Sequence, residues 1–302
     1  KEIDPKLLIP SLLFISPYFR AGSIWIDDNI FALIFLSLSF LFFIKFELEK
    51  KKLFNILICI SFLALASYFR PIYSIFSIYY LFNFFNHLKS IKNISSYIVL
   101  NILLAMPAFY YVFILNINKW AQSYMFRENI ITVSSLVISV IMFYLLPFIA
   151  YDYKNLRKKL YNIKSFYFIT IIIIALFFFF EYDRNYSGGI ILKFSTLLFN
   201  NYYFYYFVVS ILILIFYFLF LSDKKNFKNF DIVLIFTLFA LELDGVVYHE
   251  TFDPLLIILI FLLFKNKVIN KFISEFNYRS FSYVFFYYFM FYLLSVAKTL
   301  IL

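Results

Sequence analysis

Glycine, proline, cysteine and charge are all scarce in this chain of 302 residues. It has four glycines, seven prolines, one cysteine and 15% charged residues, against 64% hydrophobic residues. The single cysteine, Cys59, excludes a disulfide or a cysteine-based metal cluster within the chain. Soluble globular chains are about 45–50% apolar and about 25% charged. The composition therefore excludes an ordinary water-soluble domain and indicates a protein that folds in lipid.

Aromatic residues and positive charge are abundant instead. The chain has 47 phenylalanines, 27 tyrosines and a net charge of +10. Because isoleucine, asparagine and lysine are also frequent, the aromatic surplus is typical of AT-rich codons and does not by itself indicate a stacking site. A positive charge can indicate nucleic-acid binding, but in a membrane protein basic loops are the usual orientation signal. We therefore expect membrane lipids, and no nucleic acid, as partners.

Ten apolar runs predict an all-α integral membrane protein, a bundle of about ten transmembrane helices with outer interfacial helices. A span needs about 20 residues, so the runs at 231–243 and 254–264 are short and suit broken or buried helices. Segment 7–18 contains Pro10 and Pro17, which predict an interfacial helix or a kinked half-span. The ten runs are 30–44, 53–68, 72–86, 95–115, 130–150, 165–180, 202–221, 231–243, 254–264 and 281–300.

We expect one polytopic transmembrane domain over residues 1–302. The chain begins at Lys1, without an initiator methionine or a signal-like segment, so we also expect it to be N-terminally incomplete.

The loops between the runs predict an orientation. One set of alternating loops holds 18 of the 27 lysines and arginines, and the opposite set holds six. By the positive-inside rule the first set is cytoplasmic, in a bacterial inner membrane or an endomembrane. The opposite side collects nine acidic residues, four of the six arginines, both tryptophans and His249. Any chemistry is therefore expected on the non-cytoplasmic face.

The first candidate site precedes the run at 30–44. Asp27 and Asp28 are adjacent carboxylates, with Arg20 and Trp25 shortly before them. The two carboxylates are the candidate catalytic residues, and Arg20 and Trp25 are candidate substrate ligands. This group suits sugar hydroxyls, with the indole stacking on the sugar, and two carboxylates would also suit a divalent metal. Alternatively the acids cap the following helix, because a helix N-terminus favours acidic side chains. We expect Asp28 to be the cap and Asp27 to face a cleft.

Arginines in two further outer turns are candidate anion ligands. Arg70 lies between two runs, where a planar guanidinium would hold a phosphate or would simply extend toward the membrane interface. Asp183 and Arg184 follow another run, and they either contact a substrate or pair with each other. A glycine pair follows them and predicts an outer interfacial helix over 190–201.

His249 and Glu250 lie in an acidic outer loop. The histidine suits a proton shuttle or a donor to a phosphate, or it is a polar loop residue without a role. Asp253 precedes a proline and an apolar run, which predicts that it caps the next helix. No phosphate-binding or dinucleotide-binding glycine motif is present, so we predict no bound cofactor apart from the metal considered above.

The motifs around the first two spans resemble those of GT-C membrane glycosyltransferases. They are Ser-Pro-x-x-Arg at 16–20, Asp-Asn at 28–29 and Tyr-Phe-Arg-Pro at 68–71. The likeness is greatest to the dolichyl-phosphate-glucose α-1,2-glucosyltransferase branch, in which a Phe-Arg-Gln-like motif stands where Phe-Arg-Pro stands here. The resemblance covers residues 10–85 and more loosely 181–260.

This resemblance implies transfer of a hexose from a polyprenyl- or dolichyl-phosphate donor to a glycan or lipid-linked acceptor on the non-cytoplasmic face. In that family the catalytic carboxylate usually lies in an earlier outer loop, so the base would precede Lys1. The alternative functions are a multi-span transporter, a flippase for lipid-linked oligosaccharides and a polysaccharide polymerase. Nearly charge-free spans and the lack of an internal repeat favour the glycosyltransferase over a carrier.

Overall fold

The fold was analysed in a computed structural model and is helical throughout the described residues. Those residues are 5–25, 27–49, 53–85, 90–110, 114, 129–153, 157, 160, 163–182, 187–221, 230–242 and 247–301. The helices are α1 (Pro17–Trp25), α2 (Asp28–Leu48), α3 (Leu53–Phe69), α4 (Phe76–Phe85), α5 (Ile91–Phe109), α6 (Ile130–Tyr151), α7 (Ile163–Phe179), α8 (Gly189–Phe199), α9 (Tyr203–Phe216), α10 (Phe230–Ala240), α11 (His249–Phe252), α12 (Leu255–Leu262), α13 (Lys267–Ser274) and α14 (Tyr278–Ile301).

Each of the ten apolar runs contains a helix. Four helices are long and apolar enough to cross a membrane, namely α2, α5, α6 and α9 with its π-helical continuation Tyr217–Leu221. A fifth candidate is the pair formed by the 3-10 helix Pro5–Ile15 and α1, whose axes bend by 69°. The predicted kink in this segment is therefore confirmed. Four or five candidate spans are consistent with a membrane protein, and the total of about ten stays a prediction.

The chain forms two compact units. The first unit contains Lys1–Ala21, Arg127–Ile232 and Gly245–Leu302, and the second contains Gly22–Phe126 and Val233–Asp244. Each unit thus combines segments that are distant in the sequence.

An antiparallel hairpin of α2 and α3 organises the second unit. Phe69, at the end of α3, stacks on Phe31 and Phe35 near the start of α2, with ring centroids 5.6 and 5.8 Å apart. At the other end, Phe62 stacks on Phe42 at 5.6 Å. The start of α2 and the end of α3 therefore lie side by side.

The hairpin buries a small polar centre. The Ser39 hydroxyl donates to the carbonyl oxygen of Cys59 at 2.8 Å and lies 2.8 Å from the hydroxyl of Tyr80. Because these groups satisfy one another, they can be buried among apolar side chains at little cost. Cys59 is itself fully buried.

Helix α6 is the central element of the first unit. It buries 15 of its 22 residues, as expected of a helix that is apolar around its whole circumference. Pro147 interrupts its hydrogen bonding, because proline has no N–H to donate to the carbonyl of Phe143. The hydroxyl of Tyr287 in α14 takes this place and donates to Phe143 O at 2.9 Å. Its neighbour Tyr288 donates to Tyr144 O, also at 2.9 Å.

The predicted outer helix is α8, and a glycine pair fixes its start. Gly188 has φ +93°, a left-handed conformation that glycine adopts readily, and its N–H donates to Val247 O at 2.8 Å. A Cβ on Gly189 would lie 2.8 Å from Val140 of α6, so only glycine allows this close approach. The pair thereby joins α8 to α6 and to the segment just before His249.

Candidate functional site

The candidate segments around Ser16 and Asp253 are in contact in the first unit. The Ser16 hydroxyl donates to Oδ2 of Asp253 at 2.6 Å, although the two residues are 237 positions apart. The same hydroxyl accepts the N–H of Phe19 at 3.0 Å and so caps α1, which begins at Pro17. Ser16 therefore fixes the start of α1 and its attachment to Asp253 at once.

The prediction that Asp253 caps the next helix is wrong. Helix α12 begins at Leu255, and Pro254, which precedes it, supplies no capping side chain. Asp253 instead ends α11, with its N–H donating to His249 O at 3.0 Å. The carboxylate accepts the hydrogen bond from Ser16 and no N–H of α12.

The Asp253 carboxylate is almost completely buried, with 1% of the residue exposed. Burial raises its pKa to about 6, and the hydroxyls of Ser16 and Tyr144 and the backbone of Tyr18 lie close enough to the carboxylate to offset part of this rise. Its second oxygen, Oδ1, has no hydrogen-bond partner within the described part of the chain. Asp253 is therefore an anion at neutral pH that takes up a proton under mildly acidic conditions.

His249 lies four residues earlier and is also buried. Its Nε2 is 3.0 Å from the hydroxyl of Tyr144, and Nδ1 is buried with no partner in the described ranges. Burial lowers the pKa of His249 to about 3, and the charge of Lys193 lowers it further. The imidazole is therefore neutral at physiological pH.

Aromatic rings enclose the histidine. The ring centroids of Tyr18, Phe143 and Phe291 lie 5.9, 5.7 and 5.1 Å from that of His249. Tyr144 lies at 5.4 Å. Because these rings exclude water, the neutral form of the imidazole is favoured and the nearby polar groups interact more strongly than in water.

Three charged residues lie in the first unit with the buried pair, of which Arg20 and Glu250 are exposed and Lys193 is half-buried. Arg20, one helical turn after Ser16, places its guanidinium 4.9 Å from the centre of the Tyr292 ring. Lys193 of α8 acts electrostatically on His249, and exposed Glu250 acts on Tyr18. Three predicted site residues, Arg20, His249 and Glu250, thus belong to the first unit, which also contains Asp253.

The second unit holds the other predicted residues. Asp27, and not Asp28, is the N-cap of α2. Its Oδ1 accepts the N–H of Asn29 at 3.3 Å and its Oδ2 accepts the Asn29 side-chain amide at 2.6 Å. The prediction that Asp28 caps the helix is therefore wrong, because Asp27 has the extended backbone of a cap and Asp28 is already helical. That Asp27 faces a cleft stays a prediction.

Arg70 lies at the same end of the α2–α3 hairpin as Asp27. It precedes the 3-10 helix Pro71–Ile75, and both Arg70 and Asp27 are near enough to act electrostatically on Tyr73. A cation and an anion that are 43 positions apart in the sequence are thus neighbours of one buried hydroxyl. Whether Asp27 or Asp28 is catalytic stays a prediction.

Some predicted residues cannot be located. Asp183, Arg184 and the side chain of Trp25 lie outside the described residues. Within the ranges that are described, no group of three or more histidine, cysteine or acidic side chains is arranged to hold a metal ion.

Sequence reasoning missed Ser16 and Tyr144 as members of the site. Tyr144 lies inside an apolar run of a chain with 27 tyrosines, so nothing distinguishes it locally. Ser16 belongs to the motif at 16–20, but its long-range partner has no sequence signal.

Comparison of the chain with protein-family models, characterised proteins and solved structures finds no match. Function is therefore inferred from the site itself.

Proposed function

We propose that this protein is a membrane glycosyltransferase that moves a sugar from a polyprenyl-phosphate donor to an acceptor on the non-cytoplasmic face. The observation that carries the proposal is the Ser16–Asp253 hydrogen bond. It joins the motif at 16–20, which resembles that of GT-C enzymes, to the loop that contains His249. A buried carboxylate in the same unit as Arg20 and Lys193 is what such a transfer needs.

The positive charges of Arg20 and Lys193 suit a polyprenyl-phosphate donor. A polyprenyl-phosphate sugar keeps its tail in lipid and presents one phosphate near the membrane surface. Arg20 is exposed and carries a planar guanidinium, which matches two phosphate oxygens, and Lys193 adds a second positive charge. These cations would stabilise the negative charge that develops on the leaving phosphate.

The membrane arrangement is part of the proposal. We infer that all ten apolar runs cross or enter the bilayer and that the lysine-rich loops face the cytoplasm. His249 and Asp253 then lie on the side where lipid-linked sugar donors of this kind are used.

A transfer assay tests the function. The purified protein in liposomes is given a radiolabelled polyprenyl-phosphate hexose and a glycan acceptor, and the labelled product is counted. We expect Arg20→Ala to lower kcat/KM for the donor about 10- to 100-fold, the scale of hydrogen bonds to charged groups. Arg279→Ala is the matched control, because Arg279 is an exposed arginine of the same unit on the predicted cytoplasmic side.

Two results would contradict the proposal. One is the absence of transfer with every polyprenyl-phosphate hexose tried, and the other is an equal loss in the Arg20 and Arg279 variants.

The assay also includes Asp27→Asn and Asp28→Asn. Asparagine caps helices as well as aspartate does, so a loss of transfer in either variant would indicate catalysis and not capping.

A transporter is the second candidate. Buried ionisable groups such as Asp253 and His249 also occur in proton-coupled carriers. In that case the liposomes would accumulate a solute in response to a pH gradient without forming a new glycosidic bond. A flippase would move the labelled lipid to the other leaflet, again without a new bond.

A further inference from the structure

The buried carboxylate of Asp253 is only half satisfied. Oδ2 is held by Ser16, whereas Oδ1 is buried without a partner in the described part of the molecule. Buried polar atoms nearly always have a hydrogen-bond partner, so an unpartnered carboxylate oxygen indicates a place for a donor that the protein does not supply. A hydroxyl group of a substrate is such a donor.

Four other acidic residues, Asp27, Asp28, Asp231 and Glu250, fit this role less well. Both oxygens of Asp27 already accept hydrogen bonds from Asn29, and Asp28 and Glu250 are exposed to solvent. Asp231 is the other described aspartate with a buried unpartnered oxygen, but its Oδ1 accepts the N–H of Lys265, next to a loop predicted to be cytoplasmic.

We infer that Asp253 is the catalytic base, which accepts the proton of the attacking acceptor hydroxyl at Oδ1. This inference rests on the proposed function. It locates the base within this chain, in a late loop, and not in a segment before Lys1.

Proton transfer to Asp253 accompanies the formation of the glycosidic bond. The acceptor oxygen bonds to the anomeric carbon of the donor sugar, and its O–H bond breaks. The bond between that carbon and the phosphate oxygen breaks, and the electron pair leaves with polyprenyl phosphate. The proton goes to Oδ1, so the Asp253 carboxylate becomes a carboxylic acid while the phosphate gains one negative charge.

Ser16 acts as a positioning residue. Its hydroxyl is 2.6 Å from Oδ2, and because the same hydroxyl caps α1, it cannot turn away without losing the N–H of Phe19. The carboxylate is thereby oriented through Oδ2, and Oδ1 is the oxygen that accepts no hydrogen bond in the described part of the chain. Ser16 also favours the ionised form, which is the form that accepts a proton.

The neighbouring groups are compatible with a base that works near neutral pH. A general base is most efficient when its pKa is close to the working pH, and burial raises the pKa of Asp253 to about 6. The ionisable groups that face it or its neighbours are Tyr18 from α1, Tyr144 from α6, Lys193 from α8, His249 and Glu250 from α11, and Tyr288 from α14.

The test measures transfer and donor binding in Asp253→Asn, with the purified full chain in liposomes. We expect kcat to fall by about 10²- to 10⁴-fold, the range of general-base contributions. Binding of the labelled polyprenyl-phosphate hexose should stay within about threefold of wild type, because the phosphate ligands are intact. Asp231→Asn, which changes another buried aspartate, should transfer normally.

A second variant separates catalysis from folding. Ser16→Ala should lower kcat, because the carboxylate is no longer oriented, and should also move the acid limb of the pH profile of kcat/KM to higher pH, because it removes a hydrogen bond that lowers the pKa of Asp253. Ser16→Thr, which retains the hydroxyl, should restore the wild-type midpoint near pH 6. A purely structural role for Ser16 would lower the melting temperature without moving this limb.

The outcomes distinguish the two levels of the proposal. If wild type transfers sugar and Asp253→Asn does so within threefold of it, or Asp27→Asn alone abolishes transfer, Asp253 is not the base. An acid limb that Ser16→Ala leaves in place also overturns the assignment. If wild type neither binds nor uses any polyprenyl-phosphate donor, the proposed function itself fails and the assignment fails with it.

Discussion

Asp253 and His249 are buried side by side but respond to acid in opposite directions. Burial raises the pKa of Asp253 from 3.8 to about 6, so the folded state binds a proton between these values that the unfolded state does not. This contribution makes the protein more stable as the pH falls from about 6 to about 4. Burial lowers the pKa of His249 from 6.5 to about 3, so acidification favours the unfolded state, in which the histidine is protonated.

These opposed signs predict how two variants melt. Between about pH 4 and pH 6 the two contributions offset each other in wild type. In Asp253→Asn only the contribution of His249 remains, so the free energy of unfolding should fall on acidification by up to about 1.4 kcal/mol per pH unit. His249→Gln should reverse the slope and gain stability on acidification. Denaturation in detergent micelles at several pH values checks this, and parallel curves for all three proteins would contradict it.

Among the helical elements, α6 depends on α14 for a hydrogen bond that proline removes. The Phe143 carbonyl has no intrahelical donor because residue 147 is proline, and the hydroxyl of Tyr287 takes that place. In the second unit Tyr68 of α3 donates to Leu104 O at 2.6 Å, in the turn before Pro107 of α5, although the carbonyl that this proline leaves without a donor is that of Leu103. A tyrosine hydroxyl thus joins two helices near a proline in each unit.

A double-mutant cycle tests this role. Tyr287→Phe should lower the free energy of unfolding by about 1–3 kcal/mol, because it leaves a buried carbonyl without a donor. In a Pro147→Ala background the same change should cost much less, since alanine restores the N–H of residue 147. Tyr283→Phe is the control, because Tyr283 is an exposed tyrosine of α14. Equal costs in both backgrounds would show that the hydroxyl serves another purpose.

The orientation of the whole molecule gives a further prediction. A cysteine at Glu250 should react with a membrane-impermeant maleimide added from the non-cytoplasmic side, and a cysteine at Arg279 only from the cytoplasmic side. Both positions are exposed, and the native Cys59 is fully buried and should give no background labelling. The reverse pattern would overturn the topology and, with it, the expected side of the reaction.

The sequence predicts the helical elements well because lipid imposes a strong local constraint. Backbone groups in a bilayer must be satisfied within the segment, so each apolar run becomes helical whatever its neighbours are. The kink at residue 16 also follows locally, from Pro17 and the cap at Ser16. These features need no knowledge of tertiary contacts.

The site is predicted less completely because its contacts are long-range. Asp253 before a proline has the local signature of a helix cap, and only the hydrogen bond from Ser16 overrides it. Which of Asp27 and Asp28 caps α2 depends on their backbone angles, and the sequence of two adjacent aspartates does not specify those angles. Arg20 and His249 are found from the sequence because a charged residue and a histidine are conspicuous in so apolar a chain.

The Ser16–Asp253 contact also has a consequence for biosynthesis. Ribosomes add about 5–20 residues per second, so the 237 residues between the two partners take roughly 12–47 s to make. Throughout this interval the serine and Arg20 are present without the carboxylate, and Tyr288 of α14 follows later still. A nascent chain at the translocon therefore cannot hold the assembled site until its last helices have been inserted.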